Sequence, residues 1–123
     1  MLALKNPAEA YRRVDFEARV AGADSRQLVA LCYERLIAAL GSALFADERS
    51  DNRAKSEALT RAVSALTALQ MGLVADAGIS GALAQFYEAA KRRVLDNVVA
   101  FDAAAISEVR ADIRDIADAV AKG

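Results

Sequence analysis

Residues 24–45, DSRQLVALCYERLIAALGSALF, decide the fold of this chain. Asp24 is followed three positions later by Gln27, which is the spacing of a helix-capping box ahead of an apolar run. Apolar residues then recur every three or four positions, the repeat of one helical face. They are Val29, Cys32, Leu36, Leu40 and Ala43. Further apolar positions widen this face, so the segment is predicted to be the central helix of a bundle with neighbours on more than one side.

Apolar repeats of the same kind predict three more helices after the central one. The first covers residues 52–75, where either Ser50 or Asp51 can serve as the cap. The second covers about residues 80–99, and the third follows Asp102, which is predicted to cap it. The predicted inward positions of the second are Leu83, Phe86, Tyr87, Ala90, Val94 and Val98.

A short additional helix is predicted before the central one, over residues 7–20. Asn6 is a suitable cap and Pro7 suits the first helical position. Short connections between long helices place neighbouring helices antiparallel. The sequence therefore predicts an all-α protein: an antiparallel four-helix bundle over residues 23–123, with an N-terminal cap segment over residues 1–22. The two parts are predicted to make one domain.

The overall composition argues against several classes of function. The chain has 16 basic and 17 acidic residues. That balance provides no excess of positive charge for a nucleic-acid surface. We see no secretory leader and no run as long as a membrane span, so we expect a cytoplasmic protein without membrane insertion. The single cysteine, Cys32, lies on the apolar face and is predicted to be a buried, inert thiol.

The residues that usually carry chemistry are absent or scattered. The chain contains no histidine, the most frequent general base. Asp112, Asp115 and Asp118 lie on a polar helical face and are better explained by solvation than by metal binding. Phosphate-binding glycine loops, CxxC pairs and nucleophile elbows are missing as well. We therefore predict no catalytic residue, metal, cofactor or small-molecule substrate, and we do not expect an enzyme.

The signal that remains is apolar surface. The central helix carries apolar flanks, Tyr33 lies toward the edge of its apolar face, and Met71 extends the apolar positions of the next helix. Such flanks are typical of a groove that holds a partner's amphipathic helix. They are equally typical of core residues, and periodicity alone leaves both interpretations open.

Three short elements occur in order along the chain. They are Asn6-Pro7 with Ala10-Tyr11, residues 23–34 (ADSRQLVALCYE), and Phe86-Tyr87 followed by Arg92-Arg93. They resemble the NPY..AY, ASPEELV..LYDGAI and LY.....RRL elements of the FliS family of flagellin-specific export chaperones. The resemblance extends over nearly the whole chain. Ala8 and Val120 depart from it, because the family has a tyrosine and a tryptophan at these places.

The resemblance implies a cytoplasmic chaperone for the C-terminal segment of flagellin. It would prevent premature polymerisation and deliver the subunit to the flagellar type III export gate. The client segment would be disordered when free and helical when bound, and the cost of ordering it keeps binding reversible. The predicted groove residues are Val29, Tyr33, Leu36, Leu66, Phe86 and Tyr87. The N-terminal cap, with Pro7 and Tyr11, is predicted to cover part of this groove until flagellin displaces it.

Two other functions fit the same apolar pattern. One is a helical adaptor or regulatory protein that binds a different amphipathic helix. The other is an obligate homodimer that buries its additional apolar surface against a second copy. Sedimentation separates the dimer from the rest, and calorimetry with a flagellin peptide separates the chaperone from another adaptor.

Overall fold

A computed structural model describes residues 25–75 and 81–122, which form four helices. They are α1 (Ser25–Glu48), α2 (Asn52–Ala75), α3 (Gly81–Val99) and α4 (Ala103–Lys122). Within these described ranges there is no β-strand, and the predicted all-α fold is confirmed. The bounds of α2 agree with the prediction, and α3 covers the described part of the predicted range 80–99. The predicted N-terminal helix lies outside the described residues, and the division into a cap segment and a bundle stays a prediction.

The helices form an antiparallel bundle in which each helix packs against two neighbours. Helix α1 packs against α2 and α4, and α3 packs against the same two helices from the opposite corner. The interface between α1 and α2 is the most extensive, and that between α3 and α4 is the least extensive. Alanine is frequent at the buried positions of α1 and α2, and small side chains let two helix axes approach closely. Helices α1 and α3 are diagonal to each other, because both pack against α2 and α4.

The core is built from large apolar side chains of all four helices. The most deeply buried are Leu36, Leu40, Leu59, Leu66, Tyr87, Val94, Ile106, Val109 and Ile113. Each of the four helices contributes to this set at the three- and four-residue spacing of a helical face. Burial of these side chains removes a large apolar area from water, which is the main favourable term for the bundle.

The connection from α1 to α2 is a Schellman turn. The backbone N–H of Asp51 donates to the carbonyl of Ala46 at 2.9 Å, and that of Ser50 donates to the carbonyl of Asp47 at 3.0 Å. Ser50 has φ of 56°, in the left-handed region that this turn requires. Asp51 Oδ1 accepts a hydrogen bond from the N–H of Ala54 at 3.0 Å. Asp51 is therefore the cap of α2, and Ser50, the other candidate, is the left-handed residue of the turn.

The connection from α3 to α4 is held by two polar side chains. Asn97 is buried, and its Nδ2 donates to the carbonyl of Arg93 at 2.8 Å. Its Oδ1 accepts from the backbone N–H of Asp102 at 2.6 Å. Asp102 Oδ1 in turn accepts from the N–H of Ala104 at 3.0 Å, so the predicted cap of α4 is confirmed.

Two sequence predictions about side-chain direction were wrong. Val98 was predicted to point inward, but it is 50% exposed. Asn97 takes the inward position instead, because successive helical residues differ in direction by about 100°. Tyr33 was predicted at the edge of the apolar face, but it is only 3% exposed. It is covered because α1 has neighbours on two sides and a third helix diagonally across the core.

Helix α1 is more apolar than predicted. Residues Gln27–Glu48 are long and apolar enough to cross a membrane by length and composition alone, whereas no such run was predicted. The core helix of a bundle meets the same criterion. Leu36, Leu40 and Ala43 of this helix are fully buried against the other helices. Burial in the core therefore accounts for part of its apolar character.

Candidate functional site

The centre of the bundle contains an aromatic cluster that joins the two diagonal helices. The hydroxyl groups of Tyr33 on α1 and Tyr87 on α3 are hydrogen-bonded to each other in the buried interior. Their ring centroids are 6.3 Å apart, and the ring of Phe86 lies 6.1 Å from that of Tyr87. The rings are tilted by 53° and 57°, within the range of favourable edge-to-face packing. Three aromatic residues from the predicted groove thus form one cluster, but not one open surface.

The six predicted groove residues divide into two groups by exposure. Tyr33, Leu36, Leu66 and Tyr87 are buried and belong to the hydrophobic core. Val29 and Phe86 are half-buried and pack against that core from its margin. A partner can therefore reach Val29 and Phe86 in the described conformation, whereas contact with the other four requires the helices to move apart. Whether any of the six contacts a partner stays a prediction, and Pro7 and Tyr11 lie outside the described residues.

The ionisable groups of this cluster are held in their neutral forms. Burial raises the pKa of Tyr33 above its usual value. Burial also raises the pKa of Tyr87, and the hydrogen bond to Tyr33 raises it further. Cys32 is half-buried rather than fully buried, and desolvation raises the pKa of its thiol despite the nearby charge of Arg35. A thiol with a raised pKa forms little thiolate at neutral pH, which agrees with the predicted inert cysteine.

Helix α3 also presents apolar side chains to solvent near its C-terminal end. Leu95, Val98 and Val99 are 46%, 50% and 89% exposed, and they occupy positions i, i+3 and i+4 of one helical side. Met71, one of the predicted apolar flank residues, is 67% exposed on α2. Clustered apolar groups of this kind are more informative than single exposed ones, because they mark contact surfaces.

A cleft along the seam between α1 and α4 is the third accessible feature, and it was not predicted from the sequence. Its volume is about 200 Å³. The side chains that line it are Leu44, Ser107, Arg110, Ala111, Arg114 and Asp115. The sequence feature that could have indicated this cleft is the pair of arginines four residues apart on α4, because that spacing places two guanidinium groups on one helical side. Only the packing of α4 on α1 turns that side into a cleft.

The described part of the chain contains no group of three or more histidine, cysteine, aspartate or glutamate side chains that could hold a metal ion. The described residues present three accessible features: the half-buried core margin at Val29 and Phe86, the exposed apolar end of α3, and a cleft with two guanidinium groups. Helical bundles bind polypeptide segments through features of this kind. The fold and the site together define a small, all-helical bundle with surfaces suited to polypeptide contact.

Residues 7–122 of the chain match the family described as "Flagellar protein FliS". The chain therefore belongs to the FliS family of flagellar secretion chaperones. It is 33% identical over 114 residues to the flagellar secretion chaperone FliS of Salmonella typhimurium. That match covers 90% of this chain and 84% of the Salmonella protein. The resemblance inferred from the three sequence elements is confirmed.

Proposed function

We propose that this chain binds the C-terminal segment of flagellin in the cytoplasm, prevents its premature polymerisation and delivers it to the flagellar type III export apparatus. The observation that carries the proposal is the family match over residues 7–122, which includes all four helices of the bundle. A bound segment would be converted from a disordered chain to a helix, and its apolar face would then be unavailable for filament contacts. The loaded chaperone, rather than the free one, is proposed to engage the export gate.

The groove for this segment is proposed to begin at Val29 and Phe86. Both are half-buried apolar residues at the margin of the core, on the two diagonal helices. Residues 1–22 are proposed to cover part of this margin in the free protein, with Tyr11 on the apolar side of the segment. Flagellin would displace them, so removing the segment takes away a competitor for the same surface.

Isothermal titration calorimetry with a synthetic peptide of the flagellin C-terminal segment tests the binding function. The protein is expected to bind the peptide, and Val29→Ala and Phe86→Ala are each expected to weaken the affinity by about tenfold or more. Val98→Ala is the matched control, because Val98 is an accessible valine outside the proposed groove. The absence of binding by the unsubstituted protein would overturn the proposed function.

A deletion tests the role of the N-terminal segment separately. Removal of residues 1–20 is expected to leave the affinity for the peptide unchanged or to tighten it. A marked loss of affinity would show that the segment is part of the binding site rather than its cover. Circular dichroism of the truncated protein provides the control that its helical content and unfolding transition are retained.

A homodimer is the second candidate, and the exposed apolar end of α3 favours it. Leu95, Val98 and Val99 lie together on one side of that helix, and a second copy could bury them. Sedimentation equilibrium of the isolated protein decides between the two. A monomer at micromolar concentration removes the obligate dimer, whereas a dimer that Val99→Asp dissociates supports it.

A further inference from the structure

The cleft between α1 and α4 has more positive than negative charge in its lining. Arg110 and Arg114 line it one helical turn apart, and Asp115 supplies the single carboxylate of the lining. Arg114 makes no ion pair or hydrogen bond with another described residue. Two like charges at this spacing repel each other on a helix. An occupying anion would remove that repulsion.

The guanidinium of Arg110 is fixed in position by α1. Its Nε donates a hydrogen bond to the backbone carbonyl of Ile37 at 3.0 Å. Its Nε–Nη2 edge also faces Gly41, where a Cβ atom would lie only 3.0 Å from Nη2 and 3.2 Å from Nε. Gly41 therefore allows this close approach. The adjacent terminal edge (Nη1 and Nη2) makes no hydrogen bond with another described residue, so it is available to an acceptor. A guanidinium held in this way loses little side-chain entropy when it binds a carboxylate.

The other side chains that line the cleft indicate which kind of molecule would supply an acceptor for Arg110. Leu44 and Ala111 provide apolar contacts beside the two charges, and Ser107 provides a hydroxyl one turn before Arg110. A free inorganic anion would make no favourable contact with the apolar side chains of the lining. An acidic residue within an amphipathic segment would match both the apolar side chains and the two guanidinium groups. The next residue of α1, Phe45, is also apolar and is 60% exposed.

We propose that the cleft between α1 and α4 binds a carboxylate of the client polypeptide, between the terminal edge of Arg110 and the guanidinium of Arg114. This inference rests on the proposed flagellin-binding function and adds a second, polar point of attachment to it. The apolar groove at Val29 and Phe86 would provide most of the affinity. The carboxylate would set the register of the segment, because a paired guanidinium site accepts an acidic residue at one position only.

The test is a titration of the C-terminal flagellin peptide against two charge-neutralised variants. Arg114→Gln removes one half of the proposed site, and Arg92→Gln is the matched control, since Arg92 is an exposed arginine on α3 outside the cleft. Arg114→Gln is expected to weaken binding about five- to tenfold, and Arg92→Gln less than about twofold. Melting curves of both variants should match that of the unsubstituted protein, because both side chains are exposed.

Two further peptides identify the carboxylate. One has every aspartate and glutamate replaced by asparagine and glutamine, and the other has only its terminal carboxylate converted to an amide. The peptide that lacks the relevant carboxylate should bind the unsubstituted protein about five- to tenfold more weakly. Its affinity should not fall further when Arg114→Gln is introduced, as expected for a coupled pair. Equal effects of Arg114→Gln and Arg92→Gln, or additive effects of peptide and protein changes, would overturn the carboxylate site alone. Failure of every peptide to bind the unsubstituted protein would overturn the proposed function together with it.

Discussion

Tyr33 and Tyr87 form a hydrogen bond between two helices that are diagonal across the bundle. Both side chains are nearly fully buried, at 3% and 2% exposure, and each hydroxyl finds its partner in the other. Helices α1 and α3 are not direct neighbours, so this pair is a specific link between them. Two polar groups in an apolar core favour one arrangement of the helices, because other arrangements would leave them unpaired.

The first prediction concerns removal of one hydroxyl from this pair. Tyr33→Phe and Tyr87→Phe are each expected to lower the free energy of unfolding by about 1–3 kcal/mol, because the remaining hydroxyl is then buried without a partner. The double substitution removes both polar groups, and its cost should be clearly less than the sum of the two. Urea denaturation of the four proteins measures this cycle. Strictly additive single and double effects would mean that the two hydroxyls do not depend on each other.

The second prediction concerns alkaline pH. Burial raises the pKa of Tyr33, Tyr87 and Cys32 in the folded chain above the ordinary values of 10.0, 10.0 and 9.0. Between those ordinary values and the raised ones, the unfolded chain has lost protons that the folded chain still holds. Stability is therefore fully present below about pH 9 and falls as the pH rises, by up to about 1.4 kcal/mol per pH unit for each group.

Urea denaturation at several pH values from about 8 to 11 measures this dependence. The double variant Tyr33→Phe/Tyr87→Phe provides the control, because it lacks two of the three groups. Its stability should fall less steeply above pH 10 than that of the unsubstituted protein. Parallel pH profiles for the two proteins would contradict the assignment of the effect to the tyrosine pair.

The third prediction concerns the left-handed residue of the turn between α1 and α2. Ser50 adopts φ of 56°, which costs a residue with a Cβ atom about 1 kcal/mol or more relative to glycine. Ser50→Gly is therefore expected to raise the free energy of unfolding by about 0.5–1 kcal/mol, after allowance for the greater freedom of glycine in the unfolded chain. Thermal and urea denaturation measure the change.

The same substitution in a helix is the control for the turn. Ser64 is an exposed residue within α2, where glycine is less favourable than serine. Ser64→Gly is expected to destabilise the protein by roughly 0.5 kcal/mol, opposite in sign to Ser50→Gly. If both substitutions destabilise equally, the left-handed conformation of Ser50 is not costly.

The fourth prediction concerns Asn97, the buried amide that joins the end of α3 to the start of α4. Asn97→Leu keeps a side chain of similar size but removes the acceptor for the backbone N–H of Asp102. It is expected to destabilise the bundle by about 1–3 kcal/mol, because that N–H is part-buried and loses its partner. Asp96→Ala, at the exposed neighbouring position, should change stability by less than about 0.5 kcal/mol. Chemical denaturation of both variants makes the comparison.

Much of the fold followed from local properties of the sequence. The bounds of α2 and the cap at Asp102 agree with the structure, because helix length and capping depend on residues within a few positions of each other. The FliS resemblance was also visible, since it rests on the order and spacing of short elements along the chain.

What the sequence by itself determined was therefore which segments are helical, where their apolar faces lie and which family the chain belongs to. Only the tertiary structure decided which parts of those faces are covered. It buried Tyr33 against Tyr87, left Val98 half exposed, and formed a cleft between α1 and α4 that Arg110 lines. The physical reason is that periodicity specifies the direction of a side chain about its own helix, whereas burial depends on helices that are distant in the sequence and arrive from other directions.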